Sequence, residues 1–184
     1  VIMVGAAGNC YQICDVEGGP DYNNYWTRSL PYGPDYYMRG GTPVCSSPYG
    51  IVVGNVDADP YSGVQEQKYL DSSRGPRVDV YAPGTNIVST ISYPNGFGAV
   101  TPYPYNSNYL IATLTGTSMA SPQVAGLVAQ LLQVYPTATI QQMQQMVRNL
   151  SKKDMLHSTG QTTDYADRRS LCGSPNNYAF QPFN

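Results

Sequence analysis

The sequence predicts an α/β fold, a mostly parallel sheet flanked by helices, and three observations carry that expectation. Short β-branched runs such as Val1-Ile2-Met3-Val4 and Ile51-Val52-Val53-Gly54-Asn55-Val56 are apolar without alternation, the pattern of strands buried on both faces. Apolar residues return at helical spacing after residue 120. Strands followed by helices and then a further extended segment suit a layered α/β domain better than a sandwich or a bundle.

Taken in order, Val1–Val4 reads as a strand ending in the small residues Gly5-Ala6-Ala7-Gly8-Asn9. Residues 10–49 are dense in Tyr, Pro, Gly and Asn without periodicity, and their aromatic content predicts a packed irregular insertion. Ile51–Val56 is a second buried strand, and Val78-Asp79-Val80-Tyr81 a third, stopped by Pro83-Gly84. Ile87–Ile91 is a further strand, 93–109 a loop, and Leu110–Leu114 a short apolar run broken by Gly116. Val124, Leu127, Val128, Leu131 and Leu132 form one apolar helical stripe, with Pro122 expected in its first turn, where a missing N–H costs nothing. The second helix runs from about Thr139 to Leu150, and Thr139 with Gln142 is a capping-box pair. Residues 151–184 form a polar tail, and no linker divides the chain into domains.

The chain has 184 residues, with Lys+Arg 10 against Asp+Glu 12 and a net charge of -2, which excludes a basic surface tracking a phosphate backbone and therefore a nucleic-acid partner. Apolar runs are too short to span a bilayer, so no membrane partner is expected. Only 12% of residues are charged, and Gly 18, Pro 15 and Tyr 17 describe a loop-rich, weakly charged protein of the kind that leaves the cell. The four cysteines, Cys10, Cys14, Cys45 and Cys172, lack metal-ligand spacing and are expected to form disulfides. Of the three possible pairings, Cys45–Cys172 with Cys10–Cys14 ties the tail to the body and closes a small loop.

Chemistry concentrates in Leu114-Thr115-Gly116-Thr117-Ser118-Met119-Ala120-Ser121-Pro122-Gln123-Val124-Ala125-Gly126. A serine stands at the mouth of an apolar helix, ringed by small residues that admit a substrate carbonyl. The helix N-terminus offers unpaired N–H groups and partial positive charge to an anion formed there. This string resembles the nucleophile segment of the subtilisin-like serine proteases (subtilases). The resemblance extends to Val4-Gly5-Ala6-Ala7-Gly8-Asn9, to Val53-Gly54-Asn55-Val56-Asp57, and to Ser72-Ser73-Arg74-Gly75-Pro76-Arg77-Val78-Asp79-Val80-Tyr81-Ala82-Pro83-Gly84, in the family's order. It implies a three-layer fold in which these 184 residues are the C-terminal portion of one catalytic domain, with 10–49 an insertion and 151–184 a tail. It implies a secreted endopeptidase that cleaves polypeptide substrates through an acyl-enzyme on Ser118, with Asn9 donating to the oxyanion.

The resemblance also implies an Asp and a His ahead of Ser118, in that order. The only histidine, His157, follows Ser118 without a family motif around it, and no Asp precedes Asn9. The base is therefore expected on a partner: an N-terminal chain or segment of the same protease carrying Asp and His. Either a nicked two-chain enzyme or a partial sequence accounts for this. No cofactor is required. Asp79 matches a position that ligates calcium in proteinase-K-like relatives, which makes it a candidate structural Ca²⁺ ligand. The insertion is expected near the pocket for the residue preceding the scissile bond, or equally as a packed surface loop. Asn149-Leu150-Ser151 is a glycosylation sequon, while Lys152-Lys153 and Arg168-Arg169 read as solvated charge. The alternatives are a catalytically inactive subtilase serving as a binding component, and an esterase or lipase, which the absence of a Gly-x-Ser-x-Gly elbow disfavours.

Overall fold

The computed structural model describes residues 1–23, 25–26, 36–37, 42, 46–57, 66–92, 100–157 and 167–179. Strand β1 (Met3–Ala6), β4 (Gly50–Asp57) and β6 (Val80–Pro83) lie parallel side by side, with Val4 opposite Ile51 and Val53 opposite Val80. β5 (Gln67–Lys68) pairs antiparallel with the end of β4. The tail contributes the far edge of the sheet: β11 (Asn177–Tyr178) runs parallel to β6, and β10 (Lys152–Lys153) pairs antiparallel with β11. β2 (Tyr25–Trp26) and β3 (Tyr36–Tyr37) form a separate antiparallel pair within the insertion.

β4 shows why its apolar run has no alternation. Ile51 and Val53 face the helices, together with Val80 and Ala82, while Val52 and Val56 face the opposite layer with Ala7, Cys14, Val78 and Tyr81. Both faces are dry, so both positions of the period-2 pattern are apolar. Gly54 lies under the ring of Tyr81: a Cβ there would stand 2.2 Å from a ring carbon. The Tyr81 hydroxyl donates to Ser174 Oγ at 2.8 Å, tying the sheet to the tail.

Helix α1 (Thr117–Val134) and helix α2 (Ile140–Leu150) cover one face. Ala120, Val124, Val128, Met143 and Val147 complete that core, with Leu131, Leu132 and Met146 packed at its margin. The α2 start forms as the sequence predicts: Gln142 N donates to Thr139 Oγ1, and Thr139 N donates to Gln142 Oε1 at 2.8 Å. α1 differs. It begins at Thr117, so Pro122 lies beyond the first turn and leaves the carbonyl four residues earlier, that of Ser118, without its helical donor.

Further expectations change. The strand expected at Ile87–Ile91 forms as β7, but part of the stretch expected as loop is sheet as well: β8 (Thr101–Tyr103) and β9 (Asn106–Leu114) join β7 in an antiparallel sheet in the order β7-β9-β8. Its Pro and Asn content masks it, and Tyr103, Tyr105 and Tyr109 stand exposed on it. The Cys10–Cys14 bridge is not made. Cys10 is an exposed thiol, whereas Cys14 is buried in the core with its sulfur 3.7 Å from Ala7 O. Cys45, and with it the expected bond to Cys172, lies outside the described residues, as do 27–35 and 38–41 of the insertion. The sequon straddles the end of α2, where Asn149 Oδ1 accepts from Gln145 Nε2 and the hydroxyl of Ser151, the residue just past the helix, is buried and donates to Val147 O at 2.7 Å. Of the charged pairs, Lys152-Lys153 is exposed as expected, whereas Arg168, about half exposed, pairs with Asp71 and Arg169 bonds Asp57 at 3.3 Å.

Lys68 is fully buried, and its ammonium donates to Tyr69 O at 2.8 Å, Ser72 O at 2.9 Å and Leu70 O at 3.4 Å, closing the turn that leads to Ser72 and Ser73. Burial, with the Arg74 charge adding to it, pushes its pKa down to about 7. Between that value and its ordinary 10.5, the unfolded chain binds more protons than the folded one, so this group makes stability rise with pH across the interval. Above about pH 10 the trend reverses, because burial raises Tyr178 to about 12 and raises Tyr81 as well, and the fold holds those protons more tightly than the unfolded chain. Thermal melting across this range is expected to show Tm climbing from about pH 7 toward 10, with Lys68→Met flattening the climb.

Candidate active site

The site begins where β1 ends. Ala7 N donates to Val53 O at 2.9 Å, continuing the ladder one residue beyond the strand. Gly8 then turns at φ +107, a conformation that glycine tolerates and side chains resist. Its carbonyl accepts from Ser73 N at 2.8 Å and its N–H donates to Thr117 Oγ1 at 3.1 Å. The Ser72-Ser73 segment thus holds one side of the turn and the head of α1 holds the other. Ser72 Oγ in turn accepts from Asn55 N at 2.9 Å, anchoring that segment to β4.

Asn9 follows, exposed, with its side chain laid against the α1 N-terminus. Its Oδ1 accepts from Thr117 N and from Thr117 Oγ1, both at 2.9 Å. An N–H donor at Thr117 requires the oxygen of the carboxamide to face it, so the Nδ2 amide is left to donate elsewhere. Gly116 makes this approach possible: a Cβ there would stand 3.1 Å from Asn9 Nδ2 and 3.4 Å from Oδ1. Gly84 admits the chain on the other side, where a Cβ would meet Gly116 O at 2.6 Å, and Gly116 N donates to Gly84 O at 2.8 Å.

Ser118 is the next residue, exposed in the first turn of α1. With Thr117 N–H taken by Asn9, the helix opens on Ser118, whose own N–H finds no acceptor among the described residues. Asn9 Nδ2–H and Ser118 N–H are thus two donors on adjoining, exposed positions, beside a hydroxyl, at the positive end of an 18-residue helix. That arrangement suits an anion developing on a carbonyl attacked by Ser118. The geometry unites the two residues singled out in sequence through Thr117, which the sequence reading does not single out. Thr117 is polar yet wholly buried, and a polar residue enclosed in a string of small ones is the available signal. Gly8 and Ser73, the other supports, carry no separate sequence signal beyond the strings that contain them.

His157 is placed elsewhere. Its backbone N–H donates to Glu66 O at 2.7 Å, it bridges Gln67, and no hydrogen bond joins it to Ser118. Asp79 is 2% exposed and lies just ahead of β6, not at this corner. Its Oδ2 accepts from Val52 N and Arg77 Nη1, each at 2.8 Å, and its Oδ1 accepts from Arg148. Two guanidinium groups on one carboxylate do not fit a calcium site, because a metal ion there would displace hydrogen bonds and face two positive charges.

Comparison with known proteins agrees with the geometry. Cerevisin of Saccharomyces cerevisiae is 33% identical over 114 residues, which cover 55% of this chain and 16% of cerevisin. The crystal structure of fervidolysin from Fervidobacterium pennivorans, a keratinolytic enzyme related to subtilisin, superposes with a TM-score of 0.59 at 25% identity, covering 96% of this chain and 22% of that one. A cold-adapted subtilisin-like serine proteinase superposes over 97% of this chain and 44% of its own, with a TM-score of 0.57 and 20% identity, and shares the fold. The chain thus spans less than half the length of these relatives. The subtilase family profile matches residues 1–170, and the chain belongs to the subtilase family.

Proposed function

We propose that this chain supplies the nucleophile and the oxyanion hole of a secreted serine endopeptidase. The observation that supports the reading is the pair of Thr117 hydrogen bonds to Asn9 Oδ1, which hold the carboxamide against the residue preceding Ser118 and leave its nitrogen to donate elsewhere. Ser118 Oγ attacks the carbonyl carbon of a peptide bond while a base takes its proton. The carbonyl oxygen becomes an anion and receives hydrogen bonds from Asn9 Nδ2 and Ser118 N. Collapse of this tetrahedral species expels the amine, protonated by the same base, and leaves an acyl group on Ser118. Water then repeats the sequence, releasing the acid and restoring the hydroxyl.

A serine hydroxyl at its ordinary pKa is a weak nucleophile, so the base is indispensable. Its source in this reading is polypeptide outside these 184 residues, bearing the Asp and His. The edge of β1 supports it. Among the described residues β1 pairs on one side only, with β4, and Met3 stands exposed at its start. A strand with one bare edge in a mostly parallel sheet is a site for more sheet. Secretion is supported by the weak charge and loop-rich composition. No helix of the described residues is long and apolar enough to cross a membrane. The insertion enters this reading through Thr42, whose hydroxyl donates to Ala6 O at 2.9 Å just before the Gly8 turn, putting that part of the insertion beside the strand that carries Asn9.

In a purified active preparation, a fluorophosphonate probe is expected to label Ser118 and no other residue of this chain, and Ser118→Ala to abolish both labelling and peptidase activity. An unlabelled Ser118 in folded protein favours the inactive, binding-component alternative. Asn9→Ala is expected to lower kcat by about 10²–10³-fold with little change in KM, a magnitude established for an oxyanion donor of this same family. Thr117→Val is expected to lower kcat in the same sense but by less, because it removes one of the two hydrogen bonds that orient the Asn9 carboxamide and keeps the backbone one, with Thr117→Ser restoring part of the loss. Intact mass under denaturing conditions is expected to reveal an N-terminal companion or a longer chain containing these residues, and its absence from active protein contradicts the proposed source of the base.

A further inference from the structure

Asp79 and its neighbours form a cluster distant in role from Ser118 and unused by the chemistry above. Arg77, 8% exposed, extends its guanidinium across three oxygen acceptors. Nη1 donates to Asp79 Oδ2 at 2.8 Å, and Nη2 donates to Ser47 O at 2.7 Å and Gly50 O at 2.8 Å. Gly50 O also accepts from Gln144 Nε2 of α2 at 2.8 Å, and the same amide donates to Pro48 O at 3.0 Å. The acceptors come from a carboxylate just ahead of β6 and from carbonyls of the turn that starts β4. One carboxylate with converging backbone carbonyls is the donor set of a hard cation. Here the centre of that set is filled by a side chain.

We propose that the Arg77 guanidinium is a built-in replacement for a structural metal ion, so that the start of β4 is locked without any dissociable cation. The planar fork is suited to this position because it is always charged and its N–H groups meet separate acceptors in fixed directions. A calcium ion needs about six to eight oxygens at about 2.3–2.6 Å, and these oxygens are already committed to nitrogen donors. Arg148, also on Asp79, adds positive charge to the same carboxylate and opposes a divalent ion further. Asp79 keeps a structural purpose, because its Oδ2 accepts from Val52 N and thereby fixes β4 beside β6. The positive charge at the centre of this oxygen set is carried by residue 77.

The distinguishing experiment compares thermal melting of the intact protein with millimolar calcium and with excess chelator, for wild type, Asp79→Asn, Arg77→Gln and Arg77→Glu. Calcium bound at other places shifts every variant alike, so the informative quantity is the difference between variants. Wild type and D79N are expected to gain the same Tm increment from calcium. R77Q is expected to lose roughly 5 °C or more in calcium and chelator alike, from breaking a buried charge pair. R77E puts a second carboxylate beside the vacated carbonyls, and it is expected to melt low in chelator and to recover in calcium by more than wild type gains. Terbium luminescence of R77E is expected to show one more bound ion than wild type. A calcium increment present in wild type and lost in D79N overturns the proposal, since the ion then uses Asp79. R77Q as stable as wild type overturns it also. If D79N does not fold, R77E decides alone: no added calcium response and no added terbium site refute the stand-in role.

Discussion

The corner between β1 and α1 depends on one buried hydroxyl-bearing residue. Thr117 meets Gly8 and Asn9 through its hydroxyl and Asn9 again through its backbone N–H, so the end of a strand and the start of a helix, far apart in sequence, become a single rigid junction. Helix N-termini carry unpaired donors that normally seek a capping side chain from the residue just before the helix. In this chain that residue is Gly116, which has none, and the cap arrives from Asn9. In the proposed function, capping and catalysis share one carboxamide: its oxygen closes the first helical N–H, which leaves its nitrogen to face a reacting oxygen. A merely structural cap has no need to be exposed beside a serine.

Everything beneath that junction holds its geometry. β4 aligns β1 by a parallel register and anchors Ala7 by one more bond past the strand end. The Ser72-Ser73 segment clasps Gly8 from the other side, and the turn before it is closed by the buried Lys68 ammonium. The head of β4 is fastened by Arg77 and Asp79, and α2 reaches the same turn through Gln144. Buried charge of this sort contributes little to net stability by itself, yet removing one partner is expensive.

Legibility in the sequence follows physical scale. Elements driven by burial are plain: β4 and both helical stripes stand out because hydrophobic contact needs only the right residue type at the right period. The Thr139–Gln142 cap is plain for a similar reason, being local. β7 is plain, but its partners β8 and the first half of β9 are not, since Asn106, Asn108, Pro102 and Pro104 favour turns and the exposed tyrosines lack a clean alternation. The start of α1 is hard to place because Pro122 suggests a first turn, while the small residues before it already belong to the helix. Ser118 and Asn9 are legible through the strings around them, whereas Thr117 takes its meaning only from contacts with the distant end of β1. Asp79 is misleading for an instructive reason. The residue matches a ligand position, but ligation is a property of the whole oxygen set, and the guanidinium of Arg77 satisfies it.

The most direct test is a crystal structure of the intact protein with a peptide boronic acid bonded to Ser118 Oγ. One boronate oxygen is expected within about 2.7–3.1 Å of both Asn9 Nδ2 and Ser118 N, with Asn9 Oδ1 still on Thr117. A boronate whose oxygens find neither donor, or an Asn9 side chain turned away from Thr117 in that complex, contradicts the shared-carboxamide account.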